Sequence, residues 1–238
     1  MGKTESKGLD RKDEFSDSFI FSIVHDLKNM LVPIMFRAEL LQLPALPEEK
    51  KEKTLQQLYD SCLTMRDALN SMVEICRNRS FVGEYKPVSF DLQLLVYEVM
   101  DVLKESYMRK QIRVENLVPG GTMVNADREA ILSVLSNLMR NAIKFTPEKG
   151  RVKIFSEIRG QKVLFSIEDN GIGFDEEKMR ALLAENKYYS TPGTQGERGT
   201  GFGLLLCISL LERGGISLEC ERVPGGGSRF SFALDFVS

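Results

Sequence analysis

A single histidine, His25, stands in the stretch SIVHDLKNMLVPI. An unperturbed imidazole titrates near pH 6.5, so a neutral nucleophilic nitrogen is available at neutral pH. Asp26 follows directly, and Asn29 lies one helical turn on, over the same face. A lone histidine in an apolar helix is more often a packed core residue. Position argues against that here, because Ile23, Leu27, Met30 and Ile34 mark the apolar seam and leave His25 off its centre.

A second set of chemically capable residues lies more than a hundred positions downstream. In REAILSVLSNLMRNAIKF, Asn137 and Asn141 are spaced i, i+4, and Lys144 follows near the same face. Helix interiors disfavour asparagine. Amide oxygens, however, are hard ligands suited to Mg2+, and an ammonium neutralises phosphate charge. Taken alone, this row reads equally as a solvated polar face. In IEDNGIGFD a strand ends at Asp169, and Gly171 and Gly173 permit close backbone approach. A carboxylate there could accept a hydrogen bond from an exocyclic amine such as that of adenine. In ERGTGFGL, Gly199, Gly201 and Gly203 precede a helix, offering free N–H groups and a positive dipole end to phosphate. No GK[ST] follows, so this is not a Walker A loop, nor does it fit a dinucleotide fingerprint. One glycine loop is usually just a turn; the three elements in this order point to a nucleotide.

These residues need elements to hold them. From Phe15 to about Arg79 the sequence reads as two long helices, with Phe19, Ile23, Leu27, Met30, Ile34 and Leu41 forming the seam of the first. LPALPEEK breaks them: Pro44 and Pro47 end one helix, and Glu48 and Glu49 open the next. Leu55, Leu58, Cys62, Met65, Leu69, Met72 and Ile75 continue as the seam of the second. A hairpin two helices thick leaves apolar surface uncovered, which predicts a homodimer forming a four-helix bundle. Packing against the rest of the same chain is the alternative. NRSFVGEYKPVSFD then reads as a linker.

Beyond it the pattern becomes mixed. A helix is predicted over Leu92–Arg109 with Asp91 as cap, then a strand in IRVENLV and a helix in REAILSVLSNLMRNAIKF. RVKIFSEIRGQKVLFSIED reads as a hairpin turning at Arg159-Gly160, and the chain closes with a helix in GLLLCISLLERGG and strands in ISLECERV and SRFSFALDF. This order suggests a two-layer α+β sandwich with a mainly antiparallel sheet. A formal charge of −2 gives no basic field directed at nucleic acid. No run approaches the roughly 18 apolar residues of a membrane span, so no membrane segment is expected in this chain. Cys62, Cys76, Cys207 and Cys220 form no Cys-x-x-Cys pair and read as reduced thiols in a cytoplasmic setting.

With these motifs assembled, the sequence resembles the sensor histidine kinases of two-component systems. NLMRNAIKFTPEKG, DNGIGFD and GTGFGL resemble the N, G1 and G2 boxes of their catalytic domain, whose ATP fold is shared with type II topoisomerases and large heat-shock chaperones. VHDLKN resembles the H box of their dimerisation and phosphotransfer hairpin. The resemblance divides the chain into a charged lead-in (1–14), the helical hairpin (15–80), a linker (81–88) and a catalytic ATP-binding domain (89–238). The lead-in reads as the cut end of a signalling helix, so an anchor upstream stays open.

The resemblance implies autophosphorylation of His25 by ATP, then transfer to an aspartate on the receiver domain of a response regulator. Asp26 would orient the imidazole, and Asn29 would position the water for a phosphatase activity. Asn141 would coordinate Mg2+, with Asn137 in support; Lys144 would contact phosphate and Asp169 the adenine amine. Gly171 and Gly173 would let the nucleotide lie close, and Gly199, Gly201 and Gly203 would belong to the phosphate loop and lid hinge. The lid would lie between Phe174 and Thr200. Two departures stand out: no Phe-rich F box is present, and proline comes at Pro33, where many relatives have it at the position of Met30. Two rival readings share the ATP fold. One is a serine kinase or anti-sigma switch protein, which lacks such a hairpin. The other is a non-catalytic scaffold or phosphotransfer protein with a decayed ATP site, against which Asn141, Asp169 and the glycine boxes speak.

Overall fold

The computed structural model describes residues 27–44, 46–79, 85–185, 193–194 and 202–237. The chain divides into two units, Met1–Met72 and Val73–Ser238. His25, Asp26, Gly199 and Gly201 lie outside the described residues.

In the first unit, helix α1 is described over residues 27–41 and continues through Pro33. Helix α2, Glu48–Arg79, carries Glu48 and Glu49 in its first turn, where carboxylates favour the positive end of the dipole. Arg37 joins the helices, its Nη1 donating to the Pro33 carbonyl (3.1 Å) and to Ser61 Oγ (3.3 Å). On the Ser61 face of α2, Thr54, Ala68 and Met72 are buried and Leu58 and Met65 half-buried. One position further round, Leu55 (59% exposed), Tyr59, Cys62, Leu69 and Val73 are open. The single seam expected from Leu55 to Met72 is thus two interleaved seams: Leu58, Met65 and Met72 turn inward, and Leu55, Cys62 and Leu69 outward. Both recur every seven residues, so periodicity alone merged them. In α1, Leu27, Met30, Ile34 and Leu41 are half-buried, whereas Leu31, Val32, Met35 and Phe36 are exposed.

The second unit is a sheet covered on one face by helices. Its elements are β1 (Pro87–Asp91), α3 (Leu92–Arg109), β2 (Arg113–Asn116), β3 (Met123–Asp127), α4 (Arg128–Phe145), β4 (Arg151–Arg159), β5 (Lys162–Asp169), α5 (Glu176–Glu185), α6 (Phe202–Glu212), β6 (Glu219–Arg222) and β7 (Ser228–Phe236). The sheet order is β1-β3-β7-β5-β4-β2, with β6 also on β7; among the described strands only β2 and β4 pair in parallel. Caps start two helices: Asp91 Oδ1 accepts from Gln93 N (2.8 Å), and Asp127 Oδ1 from Ala130 N (3.1 Å). Three elements escaped the sequence reading. These are β1, which begins at Pro87 inside the stretch read as linker, β3, and α5 within the stretch read as lid. The β4–β5 turn also falls one residue later than expected, at Gly160-Gln161, because Arg159 pairs with Lys162. Gly160 takes φ 61°, as the first position of a type II′ turn requires.

Strand alternation sends Val163, Phe165 and Ile167 of β5, and Phe230, Phe232 and Leu234 of β7, into one core. Leu92, Leu95 and Val99 of α3 are also buried, as are Ile131, Leu135, Leu138 and Ala142 of α4 and Leu206, Leu210 and Leu211 of α6. Among the described residues, no helix is long and apolar enough to cross a membrane.

Candidate nucleotide-binding site

The period of a β-strand places Asp169 on the same face as Val163, Phe165 and Ile167, so it ends the buried row, and the residue is only 4% exposed. The same logic brings in Ser228, which precedes Phe230 and Phe232 on β7. Glu168 pairs with Arg229, so Ser228 lies opposite Asp169 one step further along the antiparallel ladder. Asp169 Oδ1 accepts from Gly171 N at 2.8 Å, and Ser228 donates to the carboxylate through both its N–H and its hydroxyl. Burial pushes the Asp169 carboxyl up from 3.8 to about 6, with Glu168 adding to the rise, while the Gly171 and Ser228 donors hold it back. An ionised carboxylate offers about four acceptor positions. Three donors leave capacity for one more, such as an exocyclic amine.

Gly171 lies against the end of α4. A Cβ there would collide with the Phe145 carbonyl, and the next residue, Ile172, donates its N–H to that carbonyl at 3.1 Å. Gly173 has φ 71° and lies beside Arg222 and Gly227. The loop that starts at Asp169 is therefore fastened to the helix bearing the asparagine row.

On α4, Asn137, Asn141 and Lys144 are all half-buried, next to the packed stripe of Val134, Leu138 and Ala142. Asn137 Nδ2 donates to the Ser133 carbonyl (2.9 Å), which turns its Oδ1 toward α6. A Cβ on Gly203 would come within 2.9 Å of that oxygen, so glycine lets the first turn of α6 approach the amide. Lys144 Nζ lies 4.4 Å from the centre of the Phe145 ring. One helix thus joins two glycine segments: Gly203 at its middle and Gly171 at its end.

Among the described residues, no cluster of three or more His, Cys, Asp or Glu side chains could hold a metal. The oxygen donors that α4 presents are the side-chain amides of Asn137 and Asn141, hard ligands of the kind Mg2+ takes when it keeps waters and binds phosphates. Of the residues singled out from sequence, the structure brings together Asn137 with Gly203, and Asp169 and Gly171 with the end of α4. Ser228 was missed. Its signal was the position in PGGGSRFSF, where alternation with the buried Phe230 and Phe232 turns the hydroxyl inward.

Residues 126–238 match the family described as histidine kinase-, DNA gyrase B- and HSP90-like ATPase. Over 98% of its length the chain is 31% identical to the adaptive-response sensory kinase SasA of Nostoc sp. (strain PCC 7120), of which it spans 60%. The catalytic domain of the histidine kinase ThkA superposes with a TM-score of 0.54 at 30% identity, covering 63% of this chain and 97% of that domain. The structure of ThkA in complex with the response regulator protein TrrA matches with a TM-score of 0.68 at 21% identity, over 99% of this chain and 65% of the other. At that identity the last match speaks for the fold, and it takes in the helical hairpin as well as the sheet. The chain belongs to the histidine kinase family, and its C-terminal sheet and helices are the ATPase domain of that family.

Proposed function

We propose that this chain is the catalytic core of a sensor histidine kinase, which phosphorylates His25 with ATP and passes the phosphoryl group to a response regulator aspartate. The observation that carries the reading is the convergence on α4. Asn137, Asn141 and Lys144 form one row, Gly203 approaches Asn137, and the loop from the buried Asp169 is tied to Phe145. Asp169 would accept from the adenine amine, Asn141 would hold Mg2+ with Asn137 in support, and Lys144 would face phosphate. Gly173, Gly199 and Gly201 would complete the backbone contacts. Bound Mg2+ supplies neutralisation of the phosphate charge.

In the transfer, a neutral imidazole nitrogen of His25, oriented by Asp26, attacks the γ-phosphorus in line. A P–N bond forms as the bond to the β,γ-bridging oxygen breaks, and ADP departs. The phosphoryl group then moves to a carboxylate of the regulator, as a partner like that of ThkA would provide. Asn29, exposed on α1, would orient the water that later hydrolyses the aspartyl phosphate. The uncovered faces of α1 (Leu31, Val32, Met35, Phe36) and α2 (Leu55, Tyr59, Leu69) support a homodimer through the hairpin. The free thiols of Cys62 and Cys207 favour a reducing, cytoplasmic setting. The test is incubation with γ-labelled ATP and Mg2+. The chain should acquire an acid-labile, base-stable label that transfers to a receiver domain, whereas an acid-stable label would point to the serine kinase alternative.

A further inference from the structure

A helix leaves its last four carbonyls without intrahelical partners, and at the end of α4 all four find one. Ala142 accepts from Thr146 N (3.0 Å) and Phe145 from Ile172 N (3.1 Å). The other two depend on a residue that the nucleotide site does not use. Lys110 Nζ donates to the Ile143 carbonyl (2.8 Å) and the Lys144 carbonyl (3.0 Å).

Lys110 is only 3% exposed, although burying an ammonium is costly. Three conditions offset that cost. The end of α3 fixes its backbone: Gln111 N donates to Met108 O and Ile112 N to Tyr107 O, around a φ of 53° at Gln111. The charge sits at the negative end of the α4 dipole. Its third donor is used as well, on Thr194 Oγ1 at 2.8 Å. The Thr194 hydroxyl accepts from Lys110 and donates its O–H to the Thr146 carbonyl (3.0 Å) or the Lys144 carbonyl (3.2 Å). Thr194 N donates to the Lys144 carbonyl as well, at 3.1 Å. Thr194 lies in the chain joining α5 to α6.

We propose that Lys110 and Thr194 are positioning residues of the nucleotide site, forming a clasp that fastens residue 194 to the end of α4. Neither side chain contacts the nucleotide. The clasp acts through Lys144, whose carbonyl it holds, and through Asn141 one turn earlier. This rests on the reading of α4 as the nucleotide helix, and the test separates the two. The wild-type chain, Thr194→Val, Thr194→Ser and Lys110→Met are compared by hydrogen exchange across residue 194 and by ATP kinetics.

Thr194→Val keeps shape and backbone but removes the hydroxyl. It should exchange faster at residue 194 and raise the KM for ATP about tenfold with kcat nearly unchanged, the size of one hydrogen bond to a charged group. Thr194→Ser should restore wild-type behaviour, and Lys110→Met should follow Thr194→Val. If Lys110→Met fails to fold, Thr194→Val alone decides. Wild-type exchange and KM in Thr194→Val, or an equal defect in Thr194→Ser, would overturn the clasp. A wild type that takes up no label would instead refute the kinase reading, and the exchange comparison would still judge the clasp.

Discussion

Replacing Asp169 by Asn leaves the shape of the side chain but removes a charge that the fold buries. The carboxyl rises from 3.8 to about 6 on folding, mainly through burial, so the ionised form costs the native state roughly 3 kcal/mol. The sign follows from proton binding. Between pH 3.8 and 6 the native state holds this proton more tightly than the unfolded chain does. Wild-type stability therefore falls as pH rises through that window, and the cost is fully present above it. Asparagine does not titrate. The stability of Asp169→Asn minus that of wild type should grow by roughly 2 kcal/mol between pH 4.5 and 7.5, whatever constant offset the altered Ser228 bonds introduce. Urea unfolding of both proteins across that range measures it. Nucleotide binding should move the other way. The amide turns a donor where an acceptor is needed, so ADP affinity at pH 7.5 should drop about tenfold to a hundredfold. Wild-type affinity should itself rise with pH through about 6. Parallel stability curves would refute the buried titration, and unchanged ADP affinity in the variant would refute the adenine contact.

Asn29→Ala should slow dephosphorylation of the regulator about tenfold or more while leaving autophosphorylation near wild type, because a positioned water is lost rather than a nucleophile. Equal loss of both activities in the two assays would show that Asn29 instead maintains the helix. Leu69→Glu puts a charge on the outward face of α2, where Leu69 is 42% exposed in the single chain. Light scattering should show the solution mass halved relative to wild type, whereas an unchanged mass would remove the hairpin face from the dimer.

Much of the second unit was legible because its signals are local. Asp91 and Asp127 are aspartates just before apolar-periodic runs, and α3 and α4 begin directly after them. The apolar alternation in SRFSFALDF and KVLFSIED carries over to β7 and β5, interrupted only where Ser166 and Ser231 are buried on the other face and hydrogen-bond to each other. What escaped was non-local. Strands β1 and β3 hold five residues each and depend on distant partners, β1 on β3 and β3 on both β1 and β7, which leaves little period to read. The two heptad seams of α2 are offset by three positions, and the Arg37 contact with Ser61 marks the one that faces inward. Ser228 and Lys110 look like surface residues, since their burial comes from strands and helix ends far away in sequence. The row Asn137–Asn141–Lys144 stood out for the opposite reason: asparagines inside a helix are unfavourable unless something uses them.

The central claim concerns one nitrogen. Wild type and His25→Gln, incubated side by side with γ-labelled ATP and Mg2+, test it most directly. The account predicts an acid-labile label on the wild type and none on the variant, with ADP binding equal in both. Equal labelling of His25→Gln would contradict it.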